Sequence, residues 1–209
     1  MLVLTFFLFS AFCLGVAISF TFLDAWYLLY FIIMYLRYRL GAPKIKVLEE
    51  GLRYSWVLPS DLDLMGHMNN SRYAREADFA RYLYMFQCRL LQTIWNCKYT
   101  TVLVASSWRF RRSLKLGERF AIRTRMLGWD DHSFYLEQQF ISCQDGFVCA
   151  VLLARHHVTG VPPSKVLQIL YGRQVDSPEI PEDVHYWLKS NRINSERVKK
   201  ELQQNNKSK

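Results

Sequence analysis

No disulfide framework is present in this chain. Its five cysteines, Cys13, Cys88, Cys97, Cys143 and Cys149, are odd in number and follow no stapled-domain spacing,. That argues against a disulfide-built secreted domain and for a reducing compartment, where a free cysteine is usually a small buried hydrophobe. Metal-ligand spacing is missing as well. The pair His156-His157 falls in a strand-like run, where adjacent residues point to opposite faces and cannot readily share one ion. No metal or other cofactor is expected. There is no RNP string, zinc-finger spacing or helix-turn-helix cue, so nucleic acid is not an expected partner despite a net charge of +9,. No internal repeat is found. Basic residues are absent before Arg37, and Asp24 is the one charge in the first 36 residues. An ordinary signal peptide opens on basic residues, so this absence argues against one.

What the leader does have is a long apolar run. Leu2 to Leu23 is uncharged; as a helix it reaches roughly 33 Å, enough to span a bilayer core. Apolar and aromatic character continues from Trp26 to Leu36. The aromatics, with Arg37, Arg39, Lys44 and Lys46, read as an interfacial belt followed by cytosolic charge. The expectation is an uncleaved membrane anchor with the rest of the chain in the cytosol and membrane lipid as a partner. The alternative is a signal sequence cleaved near Gly15-Val16-Ala17, which would make the protein secreted. All 27 Lys and Arg lie beyond residue 36. A basic surface of that kind suits anionic partners, such as a phosphate-bearing ligand or an anionic membrane face.

The segment Asp61-Leu-Asp63-Leu-Met-Gly66-His67-Met-Asn69-Asn70-Ser71-Arg-Tyr73 concentrates the chemistry. Pro59 holds Leu58 extended and ends a strand. Gly66 permits a tight turn or close backbone approach. Asn69 or Asn70 can cap a helix beginning near Ser71. Asp63 then stands about one turn ahead of a helix N-terminus, whose freed amides and dipole favour developing negative charge. A carboxylate beside an amide oxyanion site suits acyl transfer or hydrolysis. The backbone N–H groups of Asn70 and Ser71 are the oxyanion candidates. Asp63 can serve the substrate or cap its own turn, and Asp61 reads as a capping or solvent residue. His67 can make a structural hydrogen bond or polarise a substrate. Glu76 and Asp78 complement the helix dipole, with an accessory-base role open to Glu76.

The string Asp63-x-x-Gly66 followed by Tyr73 resembles the signature of hotdog-fold thioesterases of the 4-hydroxybenzoyl-CoA type. The longer string from Asp63 through His67-Met-Asn69-Asn70 to Tyr73 also resembles plant acyl-ACP thioesterases. Further phrases tie the chain to small members of the family with a hydrophobic N-terminus: Arg75-Glu-Ala-Asp-Phe-Ala-Arg81, Leu127-Gly-Trp-Asp-Asp131 and Asp145-Gly-Phe-Val-Cys149. The resemblance runs from the leader to about residue 190. It implies an Asp63 that attacks a thioester or activates water against it, and a His67 matching a histidine of the plant enzymes. Gly66, Asn69, Tyr73 and Glu76 fall in or beside its substrate-binding loop. Met65 stands where the plant enzymes place an Asn, so their full catalytic set is absent. The resemblance further implies an acyl-CoA or other acyl thioester as ligand, a homodimer or higher hotdog oligomer, and a location in the endoplasmic reticulum.

Pattern along the body agrees. A strand is expected over 53–58 and a helix from Ser71 into the low nineties, with Tyr73, Ala77, Ala80 and Tyr84 forming one buried stripe. Four strands follow, over 101–111, 119–128, 133–143 and 147–158, joined at turn signals such as Gly117, Gly128 and Asp145-Gly146. One strand, a long helix and an antiparallel meander make an α+β hotdog order. Arg109 and Arg111 alternate with Trp108 and Phe110, and Arg119, Arg123 and Arg125 alternate with Phe120, Ile122 and Thr124. These strands therefore carry one apolar and one cationic face. Arg111, Arg112 and Lys115 are the candidates for coenzyme A phosphates. The expected organisation is an anchor over 1–36, a basic linker over 37–50 and a hotdog domain over 51–160. A C-terminal extension over 161–190 and a polar, disordered tail over 191–209 would follow.

Overall fold

The computed structural model describes residues 2–22, 24–41 and 43–207. Met1 and Leu23 of the expected anchor, Ala42 of the expected linker, and Ser208 and Lys209 of the expected tail lie outside the described residues. The chain divides into two units, Met1–Lys44 and Ile45–Lys209.

In the first unit, α1 (Leu2–Phe22) and α2 (Ala25–Gly41) are separate helices. Leu4–Phe22 is long and apolar enough to cross a membrane. Its large side chains, among them Phe6, Phe9 and Phe12, are exposed. Ser19 and Thr21 donate their hydroxyls to the carbonyls of Gly15 and Ala17 at 2.8 Å. These polar groups are therefore satisfied inside the helix, as a hydrocarbon environment requires. Asp24 accepts the Tyr27 N–H at 3.2 Å, so the leader's one acid caps the first turn of α2,. That helix takes in Arg37 and Arg39, the start of the stretch expected to be a linker.

The second unit is built on an antiparallel sheet in the order β1-β3-β4-β5-β2. Its strands are β1 (Gly51–Trp56), β2 (Thr100–Phe110), β3 (Arg119–Trp129), β4 (Ser133–Ser142) and β5 (Val148–Thr159). All four pairings are antiparallel. Helix α3 (Asn70–Gln87) lies on one face. Its stripe of Tyr73, Ala77, Ala80 and Tyr84 is buried as the spacing predicts. Tyr73, Ala77 and Ala80 share a core with Phe120, Ile122, Phe140, Leu152 and Ala154 from the sheet. The small alanines permit the close approach, and a larger side chain at Ala77 would cost about 1–3 kcal/mol in overpacking. Gly51 serves the same purpose on β1, since an added Cβ there would stand 2.8 Å from the Tyr84 ring. This is the hotdog arrangement.

Two elements differ from expectation, and the path of the C-terminal extension is set by the tertiary structure. The helix expected to run into the low nineties stops at Gln87; Arg89 adopts a left-handed backbone (φ 60°) and α4 (Leu90–Asn96) begins afresh. The break turns Leu90, Leu91 and Ile94 inward, where all three are buried. After α5 (Pro163–Tyr171), the extension crosses the sheet's outer face. Trp129 donates its N–H to Ser177 Oγ at 2.9 Å, and a Cβ on Gly128 would meet Ile180 and Ser177 at 2.9 Å. Finally, the segment from residue 191, expected to be disordered, is helical through Lys207 as part of α6 (Glu182–Lys207). Its first turns are tied down by Val184, Trp187 and Leu188, which pack with Leu127, Tyr135, Leu153 and Ile180. The remainder holds no glycine or proline and gains side-chain pairs such as Arg197–Glu201 at i, i+4,. Tertiary anchoring thus extends helix into a stretch that composition alone reads as solvated.

Candidate active site

Every expected site residue between Asp63 and Ser71 lies on one connected loop and helix start. Pro59–Asp61 forms a short 3-10 turn. The chain then doubles back, with Asp63 N–H donating to the His67 carbonyl at 2.8 Å and Leu62 bridged to Met68. Gly66 sits at the tip with φ 76°, a conformation that favours glycine,. Asp63 Oδ1 accepts the Met65 N–H at 2.9 Å and the His67 N–H at 3.2 Å. Asp63 therefore caps its own turn through one oxygen. Oδ2 has no hydrogen-bond partner among the described residues, and the side chain is only half-buried. The His67 imidazole, also half-buried, likewise has no partner among the described residues.

Asn69 is the cap of α3. Its side-chain oxygen accepts the Ser71 N–H at 2.9 Å. Of the two amides expected to face an oxyanion, Ser71's is thus already satisfied. Asn70's N–H remains without a partner among the described residues, at an exposed helix start. Lys115 comes to the same place from far along the chain: His67 bridges to Lys115, and Met68 N–H donates to the Leu114 carbonyl at 2.9 Å.

Tyr73 and Glu76 point elsewhere. Tyr73 is 2% exposed. Its hydroxyl oxygen accepts the Leu114 N–H at 3.0 Å, and its ring meets those of Phe110 and Phe140. Burial pushes its phenol up to about 12. It holds the 111–118 loop to α3 rather than facing solvent. Glu76 is 4% exposed and sits between Arg53 at 2.8 Å and Arg75 at 3.1 Å. Arg75 continues to Asp61 at 2.6 Å, and Asp61 accepts the Leu58 N–H at 3.0 Å. Arg53, Glu76, Arg75 and Asp61 thus form a chain of alternating charge under the loop. Asp61 is a cap, as read from sequence, but it is buried rather than solvated. Asp78, one turn on, pairs with Arg81, and burial raises its carboxyl despite that guanidinium.

The cation candidates divide. Arg112 forms a two-pronged ion pair with Asp145 at 2.6 and 2.8 Å. That bond holds the Asp145 carboxyl well below the ordinary carboxylate range. Arg111 stacks over the Phe147 ring at 4.8 Å, and its guanidinium has no acid partner among the described residues. The Lys115 ammonium is unpaired in the same sense, so Arg111 and Lys115 are the cations open to an anion. On β3 the arginines face outward as predicted; Arg123 bonds Gln139 and Arg125 bonds Glu137.

Two cavities lie apart from the Asp63 loop. One of about 740 Å³ opens on the outer sheet face beneath α6, lined by Tyr135, Arg155, His185 and Arg192 among others. It holds none of the candidate site residues, although Asp130 of the Leu127–Asp131 phrase lines it. The other, about 240 Å³, lies between α3, α4 and the β2–β5 pair, and His156 and Thr101 line it. Neither was marked as functional by sequence reasoning. His156 drew notice only as half of an improbable metal pair. As adjacent strand positions require, the two side chains lie on opposite faces: His156 is buried toward α3 while His157 meets His132,. Among the described residues no group of three or more His, Cys, Asp or Glu could hold a metal ion.

Comparison with known proteins adds a family. A model described as the thioesterase-like superfamily matches residues 57–188. A protein called THEM6 from Xenopus laevis is 45% identical over 204 residues, covering 97% of this chain and 98% of the relative. A protein of the same name from Danio rerio is 44% identical over 166 residues, covering 79% of this chain and 82% of the relative. Among solved structures, a 1,4-dihydroxy-2-naphthoyl-CoA thioesterase from Synechocystis superposes with a TM-score of 0.50 at 15% identity. That match covers 58% of this chain and 95% of the other, and at such identity it shows the fold alone.

Proposed function

The chain belongs to the thioesterase-like superfamily, and on that premise we propose that it hydrolyses fatty acyl-CoA thioesters at a membrane surface. One observation carries the reading. The Asp63 carboxylate is steadied by its own turn through Oδ1, keeps Oδ2 open, and precedes a helix whose Asn70 N–H is uncovered. A thioester carbonyl placed between them would be attacked by Asp63, or by water that Asp63 deprotonates, while the Asn70 amide receives the oxyanion. His67, on the same turn, is placed to polarise the substrate. The carbon–sulfur bond breaks and coenzyme A leaves as the thiolate. On the water route the free acid forms at once and Asp63 holds the water's proton, which then passes to the thiolate. On direct attack an Asp63 acyl anhydride forms and a water molecule hydrolyses it, restoring the carboxylate. Arg111 and Lys115 are the phosphate-holding cations, because their charges are open while that of Arg112 is neutralised by Asp145.

Leu4–Phe22 is long and apolar enough to serve as the anchor, and the positive residues that follow it support a catalytic unit on the cytosolic side. The endoplasmic reticulum is the organelle that the family resemblance implies. A long-chain acyl substrate partitions into lipid, which gives an anchor a purpose. A homodimer completes the reading. Strand β2 ends the sheet, so one edge of its backbone is unpaired, and Val102 and Val104 there are exposed. Such an edge invites a second strand. Antiparallel pairing with a second copy brings the Thr101–Leu103 end of one β2 toward the Trp108–Phe110 end of the other. Tyr73 packs at that latter end, one turn into α3 from the Asp63 loop.

The test is a panel of acyl-CoAs of increasing chain length, with the full chain compared to Asp63→Asn. Hydrolysis should vanish in the variant while its circular dichroism and melting stay unchanged; equal rates would remove Asp63 from the mechanism. A second reading, acyl binding without turnover, has its own observations: Ser71's amide is occupied by Asn69, and Met65 supplies no polar group at the loop tip. Retained acyl-CoA with no thiol released at any chain length would favour it.

A further inference from the structure

The 240 Å³ cavity between α3, α4 and the β2–β5 pair has a polar end that the chemistry at Asp63 does not use. His156 faces inward from β5 at 8% exposure, and neither ring nitrogen has a partner among the described residues. Thr101, inward-facing on β2, leaves its hydroxyl buried and without a partner among the described residues. Leaving such groups unmatched costs about 1–3 kcal/mol each, so the site is built for something that bonds to them. Met85, Leu91, Trp95 and Leu103 supply apolar walls. Two charged side chains reach the cavity, but they neutralise each other: Arg81 pairs with Asp78 and also bonds Gln138 at 2.7 Å. A carboxylate or an ammonium would find no net counter-charge there. Burial pushes the His156 imidazole down to about 3, so it is neutral at physiological pH, with one nitrogen able to donate and one to accept,. Donor, acceptor and hydroxyl around an apolar space are the complement of a neutral oxygen carried on hydrocarbon. In size the space exceeds the roughly 150 Å³ that accepts a benzene ring, so it holds one ring or a short stretch of chain.

We propose that this cavity receives the acyl end of the ligand, and that His156 and Thr101 make it select acyl groups bearing a hydroxyl or keto oxygen over plain hydrocarbon. The proposal rests on the thioester reading for the word acyl, but the recognition chemistry stands apart from turnover.

Small probes separate the two. Full-length protein in phospholipid nanodiscs is titrated with hexan-1-ol, hexan-2-one and hexane, and with 4-ethylphenol and ethylbenzene. The readouts are the ¹⁵N shifts of the His156 ring and the part of the tryptophan fluorescence that Trp95→Phe removes from the chain's six tryptophans. The oxygenated member of each set should bind roughly tenfold more tightly and move the His156 nitrogens. His156→Leu should abolish the preference, and it removes an unsatisfied buried group, so it should fold. Thr101→Val, a change at the sheet edge, should reduce the preference. Equal binding of alcohol and alkane, or a preference that survives in both variants, overturns the proposal. So does the absence of any Trp95 response. The alkyl and aryl sets show which frame carries the oxygen. In a parallel assay, kcat/KM for hydroxylated acyl-CoAs should exceed that for unsubstituted chains. Discrimination among probes with no acyl-CoA cleaved would sink the hydrolase reading and leave the pocket standing.

Discussion

Asp61 is 1% exposed and bonded to Arg75, whereas Asp63, two residues on, keeps an oxygen open at the surface. Their responses to mutation should separate accordingly. Arg75→Met leaves the Asp61 carboxylate without its ion partner and Glu76 with only Arg53, so it should cost about 3–5 kcal/mol in urea unfolding. Asp63→Asn keeps the turn's acceptor and should change stability by less than about 1 kcal/mol. His156 supplies a pH signature. Its folded pKa is depressed to about 3 from an ordinary 6.5. The unfolded chain therefore binds the proton more readily across that window. Stability contributed by the neutral ring is intact above pH 6.5 and falls as pH drops toward 3, by up to about 1.4 kcal/mol per pH unit. Melting temperatures of His156→Leu should decline less steeply than those of the parent between pH 6.5 and 4.

Among the elements, α6 is anchored at one end. Val184, at 1% exposure, packs into the outer-face cluster, while Ile193 and Leu202 are exposed. Val184→Ala should destabilise the fold by about 1–2 kcal/mol. Lys199→Pro should lower helicity by far-ultraviolet circular dichroism and leave the main unfolding transition in place, because proline breaks the helix locally where nothing packs on it. The helix of the Tyr73 stripe was legible from its period, and so were the strands from their alternation. The break at Arg89 was not. A left-handed arginine has no local signal, and the turn exists because Leu90, Leu91 and Ile94 gain more by burial than a straight helix would allow,.

At the scale of the whole molecule, the second unit leaves one long edge open, on β2, and covers its outer face with the 172–188 segment. Under the dimer reading, Val102→Lys with Val104→Lys should convert the protein to monomers by sedimentation in detergent. It should also abolish hydrolysis although Asp63 is untouched, since each site would lose the neighbouring copy. The residues alone determined the apolar leader, the α+β order, the alternating faces and the Asp63-to-Ser71 loop with its cap. Each of these depends on neighbours within a few positions, so periodicity and turn chemistry suffice to read it. Only the tertiary structure decided that Asp61 and Glu76 are buried in an ion chain. It likewise decided that Lys115 rather than Arg112 is an open cation near the loop, and that His156 and Thr101 face an unfilled cavity. Those outcomes turn on partners brought from distant parts of the chain, and it is their proximity that sets whether a polar side chain is paired, desolvated or free.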